Sequence, residues 1–176
     1  MTVTPDSSLD ATKSEAAIDE PATIELDNPA QAGISLSCDI ADPSPIELDT
    51  RATSVAEEVL NIVNQERRRA GLSPLRLHSQ LTAAAQDHSN DMARHNFMSH
   101  TGSDGSSFGD RLRRHGYNFR TGAENVAAGQ SSVQDVMKSW MNSPGHRNNI
   151  LGPNYRDIGI AAARGNKLYW TQTFGA

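Results

Sequence analysis

The sequence predicts an α+β domain in which helices pack over a small antiparallel sheet. Two features carry this prediction: segments with helical apolar spacing come first, and two alternating segments joined by a turn come last. A third feature locates the domain. All nine aromatic residues and all six histidines lie beyond residue 50.

The charge distribution divides the chain near the same position. Residues 1–50 hold eleven acidic residues against one lysine, a charge of −10, whereas residues 51–176 hold fifteen basic against ten acidic residues, a charge of +5. The acidic part has few large apolar side chains, and such composition cannot offset the entropy lost on ordering. We therefore predict a disordered acidic tail over residues 1–50 and a folded domain over 51–176.

Several classes of protein are excluded by what the sequence lacks. No apolar run reaches the roughly 18 residues that a membrane-spanning helix needs, and residues 1–6 do not resemble a conventional signal peptide. The single cysteine, Cys38, excludes an internal disulfide framework. Arg67, Arg68 and Arg69 are interpreted as a solvated helix face rather than a phosphate-binding patch, so no nucleic-acid partner is predicted.

Four helices are predicted from apolar residues at helical spacing. The first ends before Gly71, the second runs from about Ser79 as N-cap to Arg94, the third covers about 106–116, and the fourth ends before Pro144. Their apolar stripes consist of Val55, Val59, Ile62 and Val63, then Leu81, Ala84, Ala85, His88 and Met92, then Phe108 and Leu112, and last Val133, Val136, Met137 and Trp140.

The strands are predicted from alternating patterns and turn residues. Residues 117–120 are predicted as a short strand and 121–125 as the loop that follows. Alternation over 158–162, a turn at 164–167 and alternation over 168–174 predict an antiparallel hairpin. Trp140 and Trp170 are expected to anchor the core.

Three residues are candidates for chemistry. His100 lies in a glycine-containing loop, Glu124 is the lone charge between residues 121 and 133, and His146 follows Pro144. A carboxylate in such an apolar stretch needs a partner. Two imidazoles and a carboxylate suit zinc, with water as fourth ligand, whereas the alternative is a His100–Glu124 hydrogen bond without an ion.

Two further interpretations concern serine and histidine residues. A Ser–His–acid hydrolase can be assembled from Ser99 or Ser143 with the same histidines and Glu124, although no nucleophile-elbow pattern is present. His88 lies on the apolar stripe of the second helix, so it is predicted to be a core histidine bonded to a carbonyl.

Four segments resemble the CAP domain, also called the SCP domain, in its short prokaryotic branch that is poor in cysteine. They read FMSHTGSDG at 97–105, GAENVAAG at 122–129, WMNSPGHRNNIL at 140–151 and YWTQ at 169–172. The family includes cysteine-rich secretory proteins, venom antigens and plant pathogenesis-related proteins. The resemblance covers about residues 55–175, in order, and assigns 51–176 to a CAP/SCP domain.

The resemblance implies a three-layer α–β–α sandwich and a groove with two histidines and two glutamates, which in some members binds zinc or another divalent ion. His100 and Glu124 match the first histidine and the first glutamate. The second glutamate falls near Ser143 and the second histidine near Tyr169, both departures from the pattern. We hypothesise that His146 enters the groove instead. These five residues are the expected ligand groove, and His100, Glu124 and His146 are the expected metal ligands and catalytic candidates.

The implied function is a secreted or envelope-exposed binding module whose groove receives a lipid, a peptide or a cell-wall fragment. The alternative is a metal-assisted hydrolase of the peptidase type in the same groove, in which the ion activates water and Glu124 is base or ligand. The family resemblance implies an extracellular or cell-envelope location.

Overall fold

The computed structural model describes residues 17–18, 22–25 and 46–176. Within them the chain forms a three-layer α–β–α sandwich, which confirms the predicted class. The sheet has α2 on one face and α1, α4 and α5 on the other. The elements, in chain order, are β1 (Ala17–Ile18), β2 (Ala22–Glu25), α1 (Ile46–Arg69), β3 (Arg76–Leu77), α2 (Ser79–His95), α3 (Phe108–Arg114), β4 (Thr121–Ala128), α4 (Val133–Asn142), α5 (Pro144–Ile150), β5 (Asp157–Arg164) and β6 (Leu168–Gly175).

The sheet is built around the predicted hairpin. β5 and β6 pair antiparallel, with Arg164 opposite Leu168 at the turn, so the hairpin prediction is confirmed. β4 pairs antiparallel with the other side of β6, and β3 adds to β5 in parallel. β1 and β2 both pair antiparallel with the outer edge of β4. β4 is therefore enclosed between the hairpin and the N-terminal strands.

Successive residues of β4 face opposite layers, as the pleat of a strand requires. Ala123 and Ala127 belong to the large core under α1 and α4, whereas Val126 and Ala128 pack with Met92 of α2. Trp140 and Trp170 lie in the large core, which confirms their predicted role. This alternation assigns each polar residue of β4 to one layer.

Two local features hold the α2–α3 layer in place. Gly159 of β5 lies against the backbone of Leu81, where a Cβ would overlap the carbonyl group, so α2 approaches the sheet closely. The N-cap of α3 is Ser107, whose hydroxyl accepts from the backbone N–H of Asp110 while the Asp110 carboxylate accepts from the N–H of Ser107. This capping box satisfies two backbone N–H groups at the start of a short helix and so stabilises it.

The N-terminal boundary differs from the prediction. α1 begins at Ile46 rather than after residue 50, and residues 17–18 and 22–25 form strands although composition assigned them to a disordered tail. A four-residue segment containing Thr23 and Ile24 has strand propensity, and an unpaired edge of β4 supplies its hydrogen-bond partners. The rest of the predicted tail, including Cys38, lies outside the described residues.

No helix in the described part of the chain has the length and apolar character of a membrane span.

The segment before the hairpin was also predicted wrongly in part. Residues 117–120 are not a strand, and residues 121–125, predicted as a loop, belong to β4. The error has a physical reason: β4 consists largely of small residues whose strand character comes from pairing on both edges rather than from propensity. β3 and α5 were not predicted.

Arg67 is a further correction. It was expected on a solvated face, but its side chain is fully buried. Its guanidinium donates to the carbonyl oxygens of Ser73, Ile150 and Gly152, at 2.9, 2.9 and 2.8 Å. The charge is buried because it satisfies carbonyl groups of the turn after α1 and of the end of α5, whereas Arg68 is exposed as predicted.

Candidate functional site

Glu124 is the centre of a buried charged cluster on the α2–α3 side of the sheet. Its carboxylate is fully buried. Oε1 accepts a hydrogen bond from Nδ1 of His100 at 2.8 Å, and Nη2 of Arg111 donates to Oε1 and Oε2 at 3.0 and 2.9 Å. The predicted pairing of His100 with Glu124 is therefore present. We call His88, His100, Arg111 and Glu124 the carboxylate cluster.

Arg111 was missed by sequence reasoning. It lies on α3 and is 4% exposed, and its guanidinium also donates to the carbonyl oxygens of Ser106 and His100, at 2.9 and 3.0 Å. These bonds tie the loop that carries His100 to α3. A weak signal was available: Arg111 stands three residues after Phe108 and beside Leu112, on the buried side of the helix.

His88 supports the same loop from α2. It is fully buried, and its Nε2 lies 2.7 Å from the carbonyl oxygen of Ser99. The prediction of a core histidine bonded to a carbonyl is confirmed. Burial lowers the pKa of His88, so the ring is neutral at pH 7 and Nε2–H is the donor.

The electrostatics of the cluster favour an ionised Glu124. Burial by itself disfavours the charged form. The hydrogen bond from His100 and the charge on Arg111 outweigh burial and hold the pKa of Glu124 below its ordinary value. Ionised Glu124 binds the Nδ1 proton of His100 and so selects the orientation of that ring.

His146 lies in a different environment. Its Nδ1 is 2.7 Å from Oγ of Ser143, at the start of α5, and its carbonyl oxygen accepts from Nδ2 of Asn125 at 3.2 Å. Asn125 follows Glu124 in β4, so their side chains leave opposite faces of the strand. Ser143 and His146 belong to the start of α5, in the α4–α5 layer, whereas the Glu124 carboxylate is bonded to His100 and Arg111.

The predicted three-ligand metal set is not assembled. Among residues 17–18, 22–25 and 46–176, no three His, Cys, Asp or Glu side chains form a group able to hold a metal ion. His100 and Glu124 meet, but His146 does not complete the set. A cation at Glu124 would also meet a guanidinium that donates to both carboxylate oxygens. The residues around Glu124 therefore do not fit a divalent metal.

Tyr169, matched to the second family histidine, lies on the same sheet face as Glu124. It is fully buried against Met92 and Val126, and its hydroxyl donates to Oδ1 of Asn166 at 2.9 Å. Burial raises the pKa of Tyr169. The hydroxyl of Tyr169 therefore forms its hydrogen bond with the β5–β6 turn.

A network of buried amides lies on the other face of β4 and was also missed. Nδ2 of Asn125 donates to Oε1 of Gln172 at 3.1 Å, and Nδ2 of Asn149 donates to Oδ1 of Asn125 at 3.0 Å. Nδ2 of Asn149 also lies 3.4 Å from the carbonyl oxygen of Glu124. These bonds attach α5 to β4 beside the carboxylate cluster.

A sheet between two helical layers, with Glu124 of β4 bonded to His100 of the loop after α2, defines a CAP-type domain. The family model for the cysteine-rich secretory protein family, CAP, matches residues 60–174. The chain belongs to this family.

Named relatives come from bacteria. The chain is 37% identical over 118 residues to the uncharacterized protein YkwD of Bacillus subtilis (strain 168), a match over 67% of this chain and 46% of YkwD. It spans less than half the length of the curated relatives it matches.

Solved structures agree with the fold. An extracellular protein containing an SCP domain from Bacillus anthracis has a TM-score of 0.65 and 29% identity, over 77% of this chain and 45% of that chain. An outer surface protein of Borrelia burgdorferi has a TM-score of 0.63 and 20% identity, over 68% of this chain and 90% of that one, and this likeness concerns the fold alone.

Proposed function

We propose that this protein is an extracellular or cell-envelope binding module whose groove lies beside His100. The observation that carries the proposal is the arrangement of His100, whose ring is held by a buried carboxylate that is itself held by Arg111. An extracellular location is supported by the descriptions of the Bacillus anthracis and Borrelia burgdorferi proteins.

His100 is the residue of the carboxylate cluster best placed to meet a ligand. Its side chain is 18% exposed, against 5% for Arg111 and none for Glu124. The Nδ1 side of the ring faces Glu124, and both nitrogens of an imidazole are hydrogen-bonding groups. Arg111 and Glu124 thus act as positioning residues.

The polarity of this cluster favours a hydrogen-bonding ligand. Of the three ligand classes expected from the family, a peptide or a cell-wall fragment carries both hydrogen-bond donors and acceptors that an imidazole can bind, whereas a lipid chain does not. The amide network on the other face of β4 makes this part of the sheet rigid. A rigid site loses less entropy when it binds.

The hydrolase alternative receives less support. Glu124 is fully buried and both of its oxygens accept from Arg111, so it is poorly placed to activate a water molecule. The Ser143–His146 pair lies on the other side of β4. Turnover is therefore measured in the same experiment as binding.

The test uses purified cell-wall sacculi, soluble wall fragments and phospholipid vesicles as separate probes. We expect the protein to co-sediment with sacculi or to bind the soluble fragments, and His100→Ala to weaken that binding by about tenfold or more. The matched control is His95→Ala, which removes a histidine that is 48% exposed and bonded to Asp91. Binding only to vesicles, equal loss in both variants, or no binding would contradict the proposal. Release of fragments with time, abolished by chelator, would support the hydrolase instead.

A further inference from the structure

The outer edge of β4 is covered only by two short strands among the described residues. β2 pairs four residues with it, from Ala22 opposite Glu124 to Glu25 opposite Thr121, and β1 pairs two. Between Ile18 and Ala22 stand three residues, but between their partners Ala127 and Glu124 stand two, so the two pairings differ in register by one residue. We call residues 17–18 and 22–25 the edge segment.

We propose that the outer edge of β4 is a strand-addition site for an extended peptide of another polypeptide, and that the edge segment occupies this site as an internal competitor. A strand edge presents a row of N–H and C=O groups that binds any extended chain of suitable side chains. The edge segment shows which side chains those are.

Two side chains of the edge segment define the recognition. Ala22 stands directly opposite Glu124, on the face of the carboxylate cluster, and it packs against the apolar group that includes Phe108. Because Ala22 is half-buried against that apolar group, a larger side chain there would have to displace its neighbours, so the site favours a small residue. Thr23 points to the other face, where its hydroxyl donates to Oδ1 of Asn149 at 3.2 Å. The peptide is therefore extended, with a small residue followed by a hydroxyl residue.

Short pairing makes the edge segment displaceable. The edge segment makes six residue pairs, interrupted by a shift in register, whereas β6 makes uninterrupted runs of seven and eight pairs with β4 and β5. Segments with few contacts open at a lower free energy than the whole domain. Opposite charges also favour contact between the two parts of the chain, because residues 1–50 carry a net charge of −10 and residues 51–176 carry +5.

The site goes beyond the groove proposed above, because it consists of backbone groups of β4 rather than of His100. It also lies next to that groove, since Ala22 and Glu124 are paired. A peptide added to β4 would therefore lie along the groove without needing the imidazole.

The test uses the full chain and a fluorescent peptide of residues 17–28. The opened variant carries Thr23→Pro and Ile24→Pro. Because the backbone N–H groups of alternate residues in an edge strand face the partner strand, one of these two prolines removes an N–H that would donate to β4. The matched control, Ser35→Pro with Leu36→Pro, likewise replaces a hydroxyl and an aliphatic residue by two prolines, at positions other than 17–18 and 22–25.

We expect the opened variant to bind the peptide about tenfold or more tightly than the wild type and the control do, because a tethered competitor acts at high effective concentration. Peptides carrying Ala22→Leu or Thr23→Val should bind more weakly. Adding His100→Ala to the opened variant should leave peptide binding unchanged, which separates this site from the groove.

Equal affinity in all three proteins, or binding that depends on His100, would overturn the proposal. A strand-exchanged dimer of the wild type, detected by light scattering, would assign the edge to a second copy and overturn it as well. Hydrogen exchange tests displacement of the edge segment in the wild-type protein, without any substitution. The β4 amides paired with the edge segment should exchange faster than those paired with β6, and equal protection would count against displacement.

Discussion

Arg111 donates from a single nitrogen, Nη2, to both carboxylate oxygens of Glu124, at 3.0 and 2.9 Å. Both side chains are almost completely removed from solvent. A buried carboxylate without a counter-charge takes up a proton or destabilises the fold. The guanidinium of Arg111 therefore supplies the counter-charge that buried Glu124 requires.

Removing this counter-charge should destabilise the domain. Breaking a buried ion pair at one partner costs about 3–5 kcal/mol, so we expect Arg111→Met to lower the free energy of unfolding in urea by that amount. Arg114→Met is the control, because Arg114 pairs with Asp104 at a side chain that is 56% exposed, and exposed pairs contribute less than about 1 kcal/mol. Equal losses in the two variants would refute the assignment.

Acid should destabilise the protein through Glu124. Because the pKa of Glu124 in the fold lies below its ordinary value of 4.5, the unfolded chain binds the proton more readily. The stability from this group is fully present above pH 4.5 and is lost as the pH falls through the folded-state pKa.

Glu124→Gln removes this dependence, so its unfolding free energy should fall less between about pH 4.5 and 3 than that of the wild type. Urea titrations at several pH values measure the difference. Glu57→Gln, at an exposed position of α1, is the comparison. A variant whose acid profile parallels the wild type would show that Glu124 is not the group responsible.

Divalent metal should stabilise the protein little. A ligand raises stability only in proportion to its occupancy, and Arg111 occupies both oxygens of Glu124. We expect untagged protein to contain well under one zinc per chain, and zinc or chelator to leave the melting temperature nearly unchanged. Stoichiometric metal that is lost in His100→Ala would restore the metal-assisted hydrolase as the better hypothesis.

Substitution of two adjacent arginines at the end of α1 should lower the free energy of unfolding by very different amounts. Arg67→Met leaves three carbonyl acceptors without their donor, and the buried one, that of Ile150, by itself costs about 1–3 kcal/mol. Arg68→Met changes an exposed position and should alter stability by less than about 0.5 kcal/mol. Equilibrium unfolding of the two variants measures both effects. A small loss for Arg67→Met would mean that water replaces the guanidinium.

The elements predicted correctly were those with a local signal. α4 has an apolar residue at each inward position between Val133 and Trp140, and the β5–β6 hairpin has alternation with a turn at residues 164–167. β4 has neither signal. Its residues become a strand because β6 and the edge segment pair with its two sides, which is information held elsewhere in the chain.

The candidate site shows the same division. A lone acid in an uncharged segment was enough to predict that Glu124 needs a partner, and the motif was enough to name His100. Arg111 and Asn149 have no local signal of comparable strength, because a polar residue on a short helix is exposed in most sequences.

By itself, the sequence determined the fold class, the family and the His100–Glu124 pair, since each depends on patterns or motifs that are continuous along the chain. The tertiary structure alone decided which charge faces Glu124, on which side of β4 His146 lies, and that residues 22–25 complete the sheet. These depend on strand pairing and on the alternation of side chains between two faces. Such long-range geometry places Arg111, thirteen residues away, against Glu124 and puts His146 in the opposite layer.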